Sequence, residues 1–399
     1  LRRQRRDPAQ HHCPRRIGVE IMESSSTGNF NDEQQMLADS VAKYLTETYD
    51  FETRRAVANG DLLTPQPQWQ QFADMGWLTL PFNERDGGFN GGPKELAILF
   101  EAFGEHLVLE PYLETVVMAG TTIANGQEPL KKRYLDGIMA GDIHAAFGHG
   151  EAEHSAERYY VATSAVQSAD GWRLNGAKSV VANGPLADVV VVSARLSGDV
   201  RSPQGIGLFA VERGAAGLTA RDYVTVDGRR ASEIILDQVD VGAEALISSA
   251  SELLDQTLDL GCFAVCAEAV GAMQALLSAT VEYCQQRRQF GQPIGSFQAL
   301  QHRMVDMYIA LELARSLLGA TTDALANNSA HSQRLISALK YRVDQSARAI
   351  SYGALQLHGG IAMTDELNVG HYFKRLALIE KQFGSAQFHL QRFKQQPTI

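Results

Sequence analysis

RRQFGQPIGSFQ, residues 287–298, and QLHGGIAMTDE, residues 356–366, are the two segments on which the reading of this chain turns. Arg287 supplies a fixed positive charge suited to a pyrophosphate. Gly359 with Gly360 allows close backbone approach to a ligand, and Gln289, Gln298 and Gln356 offer amide donors and acceptors for a nucleotide. Taken singly, each residue has a plainer reading: an arginine on a helix is a solvated charge, a Gly-Gly pair is a turn, a glutamine is surface. Turn chemistry alone does not arrange Arg287, Phe290, Gly291, Pro293, Phe297 and Gln298 together with Gln356, Gly359 and Gly360.

Around these segments the pattern is helical. Phe297, Leu300, Met304, Met307, Leu311, Ala314 and Leu318 step by threes and fours, as do Leu335, Leu339, Val343, Ser346, Ile350 and Gly353. Such stripes are bundle core rather than a binding groove, and wide apolar faces on long helices leave surface for subunit contacts. Between about 141 and 245 the period changes to short β-rich runs: Trp172–Leu174, Asp188–Arg195, Ile206–Glu212 and Glu233–Val241. The dipeptides Asp170-Gly171, Asn175-Gly176 and Asp227-Gly228 read as the turns between them. No long helical pattern alternates with these runs, which argues against a dinucleotide-binding parallel sheet.

Toward the start, Asn31 and Gln34 have capping-box spacing ahead of Leu37, Val41, Tyr44 and Leu45 at helical spacing. Helical patterns continue to about residue 140, broken by LPFNERDGGFNGGP at 80–93. That stretch lacks the GK[ST] ending of a phosphate-binding loop and reads as a plain turn. The arginine-rich opening LRRQRRDPAQHHCPRRIGVEI could suggest a transit peptide or an anion-binding arm, but a disordered or non-native extension without function is the stronger reading.

Composition narrows the function classes. The 399 residues, 45% hydrophobic and 21% charged, are enough for two or three domains with a large core, as in a soluble globular protein. The net charge of −10 gives no basic field for nucleic acid or an anionic membrane. Cys13, Cys262, Cys266 and Cys284 form no CxxC pair and have no histidines at zinc spacing, so neither a disulfide frame nor a metal site is expected and a reducing cytoplasm fits. No apolar run approaches the roughly 18–20 residues of a membrane span.

The segments at 287–298 and 356–366 resemble the two most characteristic motifs of the acyl-CoA dehydrogenase family. FNDEQQMLADSVAKYL resembles its opening helix and LPFNERDGGFNGG its glycine loop. The resemblance covers residues 30–395. It implies an α+β fold: an N-terminal helical domain (30–140) after an extension at 1–29, a central β-barrel or sandwich domain (141–245), and a C-terminal four-helix bundle (246–399). It also implies an FAD cofactor lying between protomers, contacted by Arg287, Gln289, Phe290, Gln298, Gln356, Gly359 and Gly360. The implied reaction is α,β-dehydrogenation of an acyl-CoA thioester, in which a carboxylate of raised pKa takes the α-proton and the flavin accepts the β-hydride. The implied electron acceptor is an electron-transfer flavoprotein.

The chain departs from that pattern where the base belongs. The residue before Gly384-Ser385-Ala386-Gln387, the usual base position, is Phe383, and the family's other location, on the helix before RRQFG, is Gly261. Glu380, one turn before Phe383, is a displaced candidate, although a glutamate near a helix end is ordinarily a solvated charge. Where typical members carry Thr-Glu-Pro and Trp-Ile-Thr segments beside the isoalloxazine, this chain reads AAFGHGEAEHS (145–155) and Val180-Val181-Ala182. His149 and His154 lack companions at ligand spacing and read as loop histidines.

An intact clamp with a damaged isoalloxazine wall resembles the small subunits of heteromeric members, whose dimer-of-dimers assembly lets a related partner supply the base. DGWRLNGAKSVVANGPLADVVVVSAR, FQALQHRMVDM and YFKRLALIEKQFG resemble that subgroup. A homo-oligomeric flavoenzyme with a displaced base and a paralogue without flavin are the alternatives.

Overall fold

The computed structural model describes residues 30–154 and 157–396; the arginine-rich start and Cys13 lie outside them. Six α-helices and a π-helix open the described residues. Helix α1 (Asp32–Thr48) begins with the expected capping box: the Asn31 side chain accepts from the Gln34 N–H at 2.8 Å, and the Gln34 side chain accepts from the Asn31 N–H at 3.1 Å. A cap of this kind contributes about 1 kcal/mol. Helices α2 (Phe51–Ala58) and α3 (Trp69–Asp74) lead into the 80–93 segment, which is a turn closing on Pro93 at the start of α4 (Pro93–His106). A π-helix, Leu113–Gly120, runs on into α5 (Thr121–Ile123), and α6 (Glu128–Ala140) completes the set.

The middle of the chain is one mixed sheet of eight strands: β1 (Ala145–Gly148), β2 (Ser164–Gln167), β3 (Gly171–Ala182), β4 (Val189–Arg195), β5 (Ile206–Glu212), β6 (Leu218–Val224), β7 (Arg230–Gly242) and β8 (Leu246–Ser248). Strand β4 is its hinge. Both β1 and β2 pair parallel to it, at opposite ends of one edge, while β5 pairs antiparallel on the other. All seven residues of β4 are buried. Val190 and Val192 face a core shared with Leu174, Phe209 and Ile234, whereas Val189 and Val191 face the helices. Burial of each such valine contributes roughly 1.5–3 kcal/mol, which is why this run reads as strand although it does not alternate. Asp227-Gly228 lies between β6 and β7, and Asp170-Gly171 leads into β3, of which Gly171 is the first residue. Asn175-Gly176 does neither: it sits inside β3, where the register against β7 shifts. Its side chain is used in the ladder, Asn175 Oδ1 accepting from the Gln238 N–H at 2.8 Å.

Helix α7 (Ser251–Gln286) is the spine of the C-terminal part, and α8 (Gln298–Ala326), α9 (Ser332–His358), α10 (Asn368–Ile379) and α11 (Ala386–Gln395) pack around it. Contrary to the sequence expectation, α7 contains an 18-residue window with mean hydropathy 1.7, apolar enough for a membrane span. Most of that window is buried among the other helices, as in the core helix of a large domain. Helix α4 crosses α7 at backbone distance: a Cβ on Gly104 would stand 1.9 Å from the Glu268 carbonyl oxygen, and one on Gly271 1.9 Å from that of Glu101. The apolar stripes of α8 and α9 are core from Met307 and Ile336 onward. A second stripe on α8, Val305, Ile309 and Leu313, stays half exposed.

Candidate active site

Two separate regions carry the residues of interest. The first is a surface. Tyr283, near the end of α7, stacks on His358 at the end of α9 with ring centroids 4.3 Å apart, and its hydroxyl donates to the His358 carbonyl at 3.4 Å. One turn on, the Arg287 N–H donates to the Tyr283 carbonyl at 2.8 Å, so the two sequence segments meet. A short hairpin follows, β9 (Arg288–Gln289) with β10 (Gln292–Pro293). Its two-residue loop, Phe290-Gly291, has φ of 53° and 80°, the mirror-image turn that suits a tight hairpin. Phe290 stands at the tip, 90% exposed. Gln289, Gln298, Gln356, Gly359, Gly360 and Arg287 itself are exposed as well. Gly359 adopts φ 69°, and nothing lies within 4 Å of a Cβ built on Gly291, Gly359 or Gly360. A flat ligand or its phosphates can therefore come down onto bare backbone here, which fits a dinucleotide cofactor.

The second region is a cavity of about 360 Å³ where the three parts of the chain meet. Leu113 and Met118 of the π-helix, Phe147, Leu258 and Phe383 make its apolar side; Ser179, Val180 and Ala182 of β3 face it from the sheet. None of the seven surface residues lines it. The two positions that lack a carboxylate turn out to touch: a Cβ on Gly261 would lie 2.7 Å from the Phe383 ring and 3.3 Å from Met118 Sδ. Phe383 holds this place from a left-handed backbone, φ 59°. Gly261→Ala is accordingly expected to destabilise the chain by about 1–3 kcal/mol through overpacking. Adding Phe383→Leu should recover much of that loss in thermal unfolding; additive effects would show that the contact does not govern the packing.

Glu380 is not a displaced base. It does not line the cavity; it pairs with Arg348 and, at 3.3 Å, with Lys381. Those two cations outweigh its partial burial and hold its carboxyl below the usual range. The carboxyls that do reach the cavity are Asp227, on the turn before β7, and Glu114, on the π-helix. Asp227 belongs to a buried ion network. Arg375 donates two bonds of 2.6 Å to Glu268 and one of 3.1 Å to Asp227; Arg229 donates to Glu268 at 2.8 Å. Burial pushes Glu268 and Asp227 up, but the two guanidinium groups overcome it and keep both ionised. Glu114 has no such partner. It is 6% exposed, its Oε2 is unbonded, and burial raises its pKa. The signal for it in the sequence is a lone carboxylate inside the apolar run YLETVVMAG (112–120).

His149 also lines the cavity, yet both its nitrogens are engaged, Nδ1 with Ser193 Oγ and Nε2 with the Arg158 carbonyl, each at 2.9 Å. Lys178, wholly buried, donates to Glu151 at 2.6 Å and to Ser193 at 3.1 Å. Burial and then the nearby Lys178 charge press the His149 pKa down to about 3. A histidine of depressed pKa is neutral in the fold but protonates in the unfolded chain below about pH 6.5. Stability is thus fully present above that pH and falls as pH drops toward 3, by at most about 1.4 kcal/mol per unit. In His149→Gln, urea midpoints measured from pH 7 to 4 should lose part of this slope; an unchanged slope would assign it to other groups. His154 pairs with Glu157 at 2.9 Å, a structural role.

Comparison with known families agrees with this geometry along the chain. Residues 31–142 match the acyl-CoA dehydrogenase N-terminal domain, 146–239 the middle domain and 252–396 the C-terminal domain.

The chain belongs to the acyl-CoA dehydrogenase family.

Family members are FAD-dependent oxidoreductases acting on acyl-CoA. The chain is similar to a probable acyl-CoA dehydrogenase, YngJ, of Bacillus subtilis (strain 168), 27% identical over 364 residues, which span 89% of this chain and 95% of the relative. Among solved structures, the Tcur3481–Tcur3483 steroid acyl-CoA dehydrogenase variant is 29% identical with a TM-score of 0.81, over 91% of this chain and 96% of that one. The ChsE4–ChsE5 complex from Mycobacterium tuberculosis shares the fold, at 23% identity and a TM-score of 0.84, over 92% and 99% of the two chains. For this acyl-CoA dehydrogenase, the three-domain architecture is thereby established.

Proposed function

We propose that this chain is the subunit of a heteromeric acyl-CoA dehydrogenase that supplies the adenine and pyrophosphate clamp, while a related partner chain supplies the base. Arg287, Gln289, Phe290, Gln298, Gln356, Gly359 and Gly360 hold FAD, which when bound accepts the β-hydride of the acyl group. The observation that carries the reading is the separation of the two regions: the clamp residues all lie on an open surface, and the chain's own cavity has the Gly261–Phe383 contact where a carboxylate would stand. The pairs named in two structural neighbours, ChsE4–ChsE5 and Tcur3481–Tcur3483, support it. The half-exposed stripe Val305, Ile309 and Leu313 provides an apolar face for a dimer of dimers. The assembled enzyme passes its electrons to an electron-transfer flavoprotein and works in the cytoplasm.

The test is visible flavin absorbance of the chain purified alone and co-expressed with a related dehydrogenase chain that carries a glutamate at either base position. Flavin, and bleaching by acyl-CoA, are expected only in the complex. A chain that alone carries stoichiometric FAD and is bleached by an acyl-CoA would overturn the reading and direct the search for a base to the cavity carboxyls.

A further inference from the structure

The charged end of the cavity contains a small compartment of its own. A space of about 10 Å³ adjoins the main cavity, and its polar lining is Gln66, Glu114, Asn183, Arg229 and Arg230. Four buried atoms around it have no hydrogen-bond partner: Gln66 Oε1, Glu114 Oε2, Asn183 Oδ1 and Arg229 Nε. Asn183 is oriented by its other end, Nδ2 donating to Thr115 Oγ1 and to the Ala145 carbonyl, each at 3.2 Å, so its oxygen is left facing the compartment. One water molecule can accept from Arg229 and donate to two of the three oxygens, those of Gln66 and Asn183, which leaves the Glu114 carboxyl without a partner of its own. The volume matches too, since a site of roughly 10–15 Å³ is the least that holds a water.

Glu114 is shared between this compartment and the main cavity. It stands four residues before Met118 on the π-helix, and Met118 Sδ abuts the Gly261 position. The carboxyl is thus about one helical turn along from the Gly261–Phe383 contact. A buried carboxyl presented to a cavity whose other side is Leu113, Met118, Leu258 and Phe383 costs stability unless a ligand pairs with it. The surrounding Arg229 and Arg375 disfavour a cationic partner. A hydroxyl suits either protonation state of the acid, since it both donates and accepts.

We propose that Glu114, backed by a water on Gln66, Asn183 and Arg229, is a hydroxyl-recognising subsite, so that this chain's own cavity takes an acyl thioester whose acyl chain carries a hydroxyl several carbons from the carbonyl. The proposal rests on reading the cavity as an acyl site, and holds without any turnover in this chain.

Isothermal titration of the full complex compares 4-, 6- and 8-hydroxyacyl-CoA with their unsubstituted parents. At least one hydroxylated member should bind about tenfold or more tighter than its parent, because a site built for a hydroxyl leaves its polar group unpaired when the hydroxyl is missing. Glu114→Leu should abolish the preference and Glu114→Gln, which keeps a donor and an acceptor, should retain part of it. Equal affinities throughout, a preference that survives Glu114→Leu, or no binding of any probe would overturn the proposal. Should Glu114→Leu fail to fold, Asn183→Leu, which removes one of the water's acceptors, is expected to weaken the preference; an unchanged preference there would overturn the water-backed site. Flavin retention reports separately on the clamp reading, since neither variant touches the surface that carries Arg287.

Discussion

Replacing Arg375 with leucine should lower the unfolding temperature by roughly 6–10 °C. Arg375 is 3% exposed and spends its hydrogen bonds on Glu268 and Asp227, both of which are buried. Without it the network keeps two carboxylates against Arg229, an uncompensated buried charge that costs about 3–5 kcal/mol. The loss should also move with pH. In the parent, both carboxylates have folded pKa values below the unfolded ones, so their stabilisation is present above the ordinary carboxylate range and disappears as pH falls through the depressed values. In the variant that window moves up, and acid unfolding begins at higher pH. Pairing Arg375→Met with Glu268→Leu restores neutrality and should recover most of the loss, because a buried ion pair itself contributes little beyond its apolar equivalent. A single variant as stable as the parent would mean that the network is not closed in solution.

Arg287→Ala should leave the fold unaltered and weaken FAD retention by the complex about 10- to 100-fold. The residue is exposed and its backbone N–H, not its side chain, secures the end of α7, so truncation removes a charge with little effect on packing. Charge-assisted hydrogen bonds are worth about 1.5–3 kcal/mol each, which sets the size of the effect. Arg287→Lys should recover part of the affinity but not the fork geometry. Flavin content after gel filtration, followed by FAD titration of the stripped complex, measures both. Undiminished binding in Arg287→Ala would take this residue out of the clamp, whatever the rest of the hairpin does.

The parts of this architecture that the sequence announced are those built from contacts close along the chain. The Asn31–Gln34 box, the buried valines of β4 and the stripe through Met307, Leu311 and Leu318 each carry their own signal. The four strands without a sequence reading lack one: β1 is four small or apolar residues, β2 (SAVQ) is as short, β8 has only three, and β6 (LTARDYV) is a half-exposed edge in which polar residues interrupt the pattern. Asn175-Gly176 misled because the same dipeptide serves a turn and a bulge. The cavity was less legible still. Arg375 meets Asp227 across 148 positions and Glu268 across 107, a relation that no local pattern encodes. Glu114 is a lone carboxylate in the apolar run YLETVVMAG, and only the fold puts it where the main cavity and the small compartment meet.

The Gly261–Phe383 contact also constrains how this lineage can change. The most direct path to a carboxylate beside this cavity is a glutamate at position 261, one of the two places where the resemblance expects a base. That path is shut by the Phe383 ring, 2.7 Å from the first atom such a side chain would add. A carboxylate at 261 would therefore have to arrive together with a smaller residue at 383.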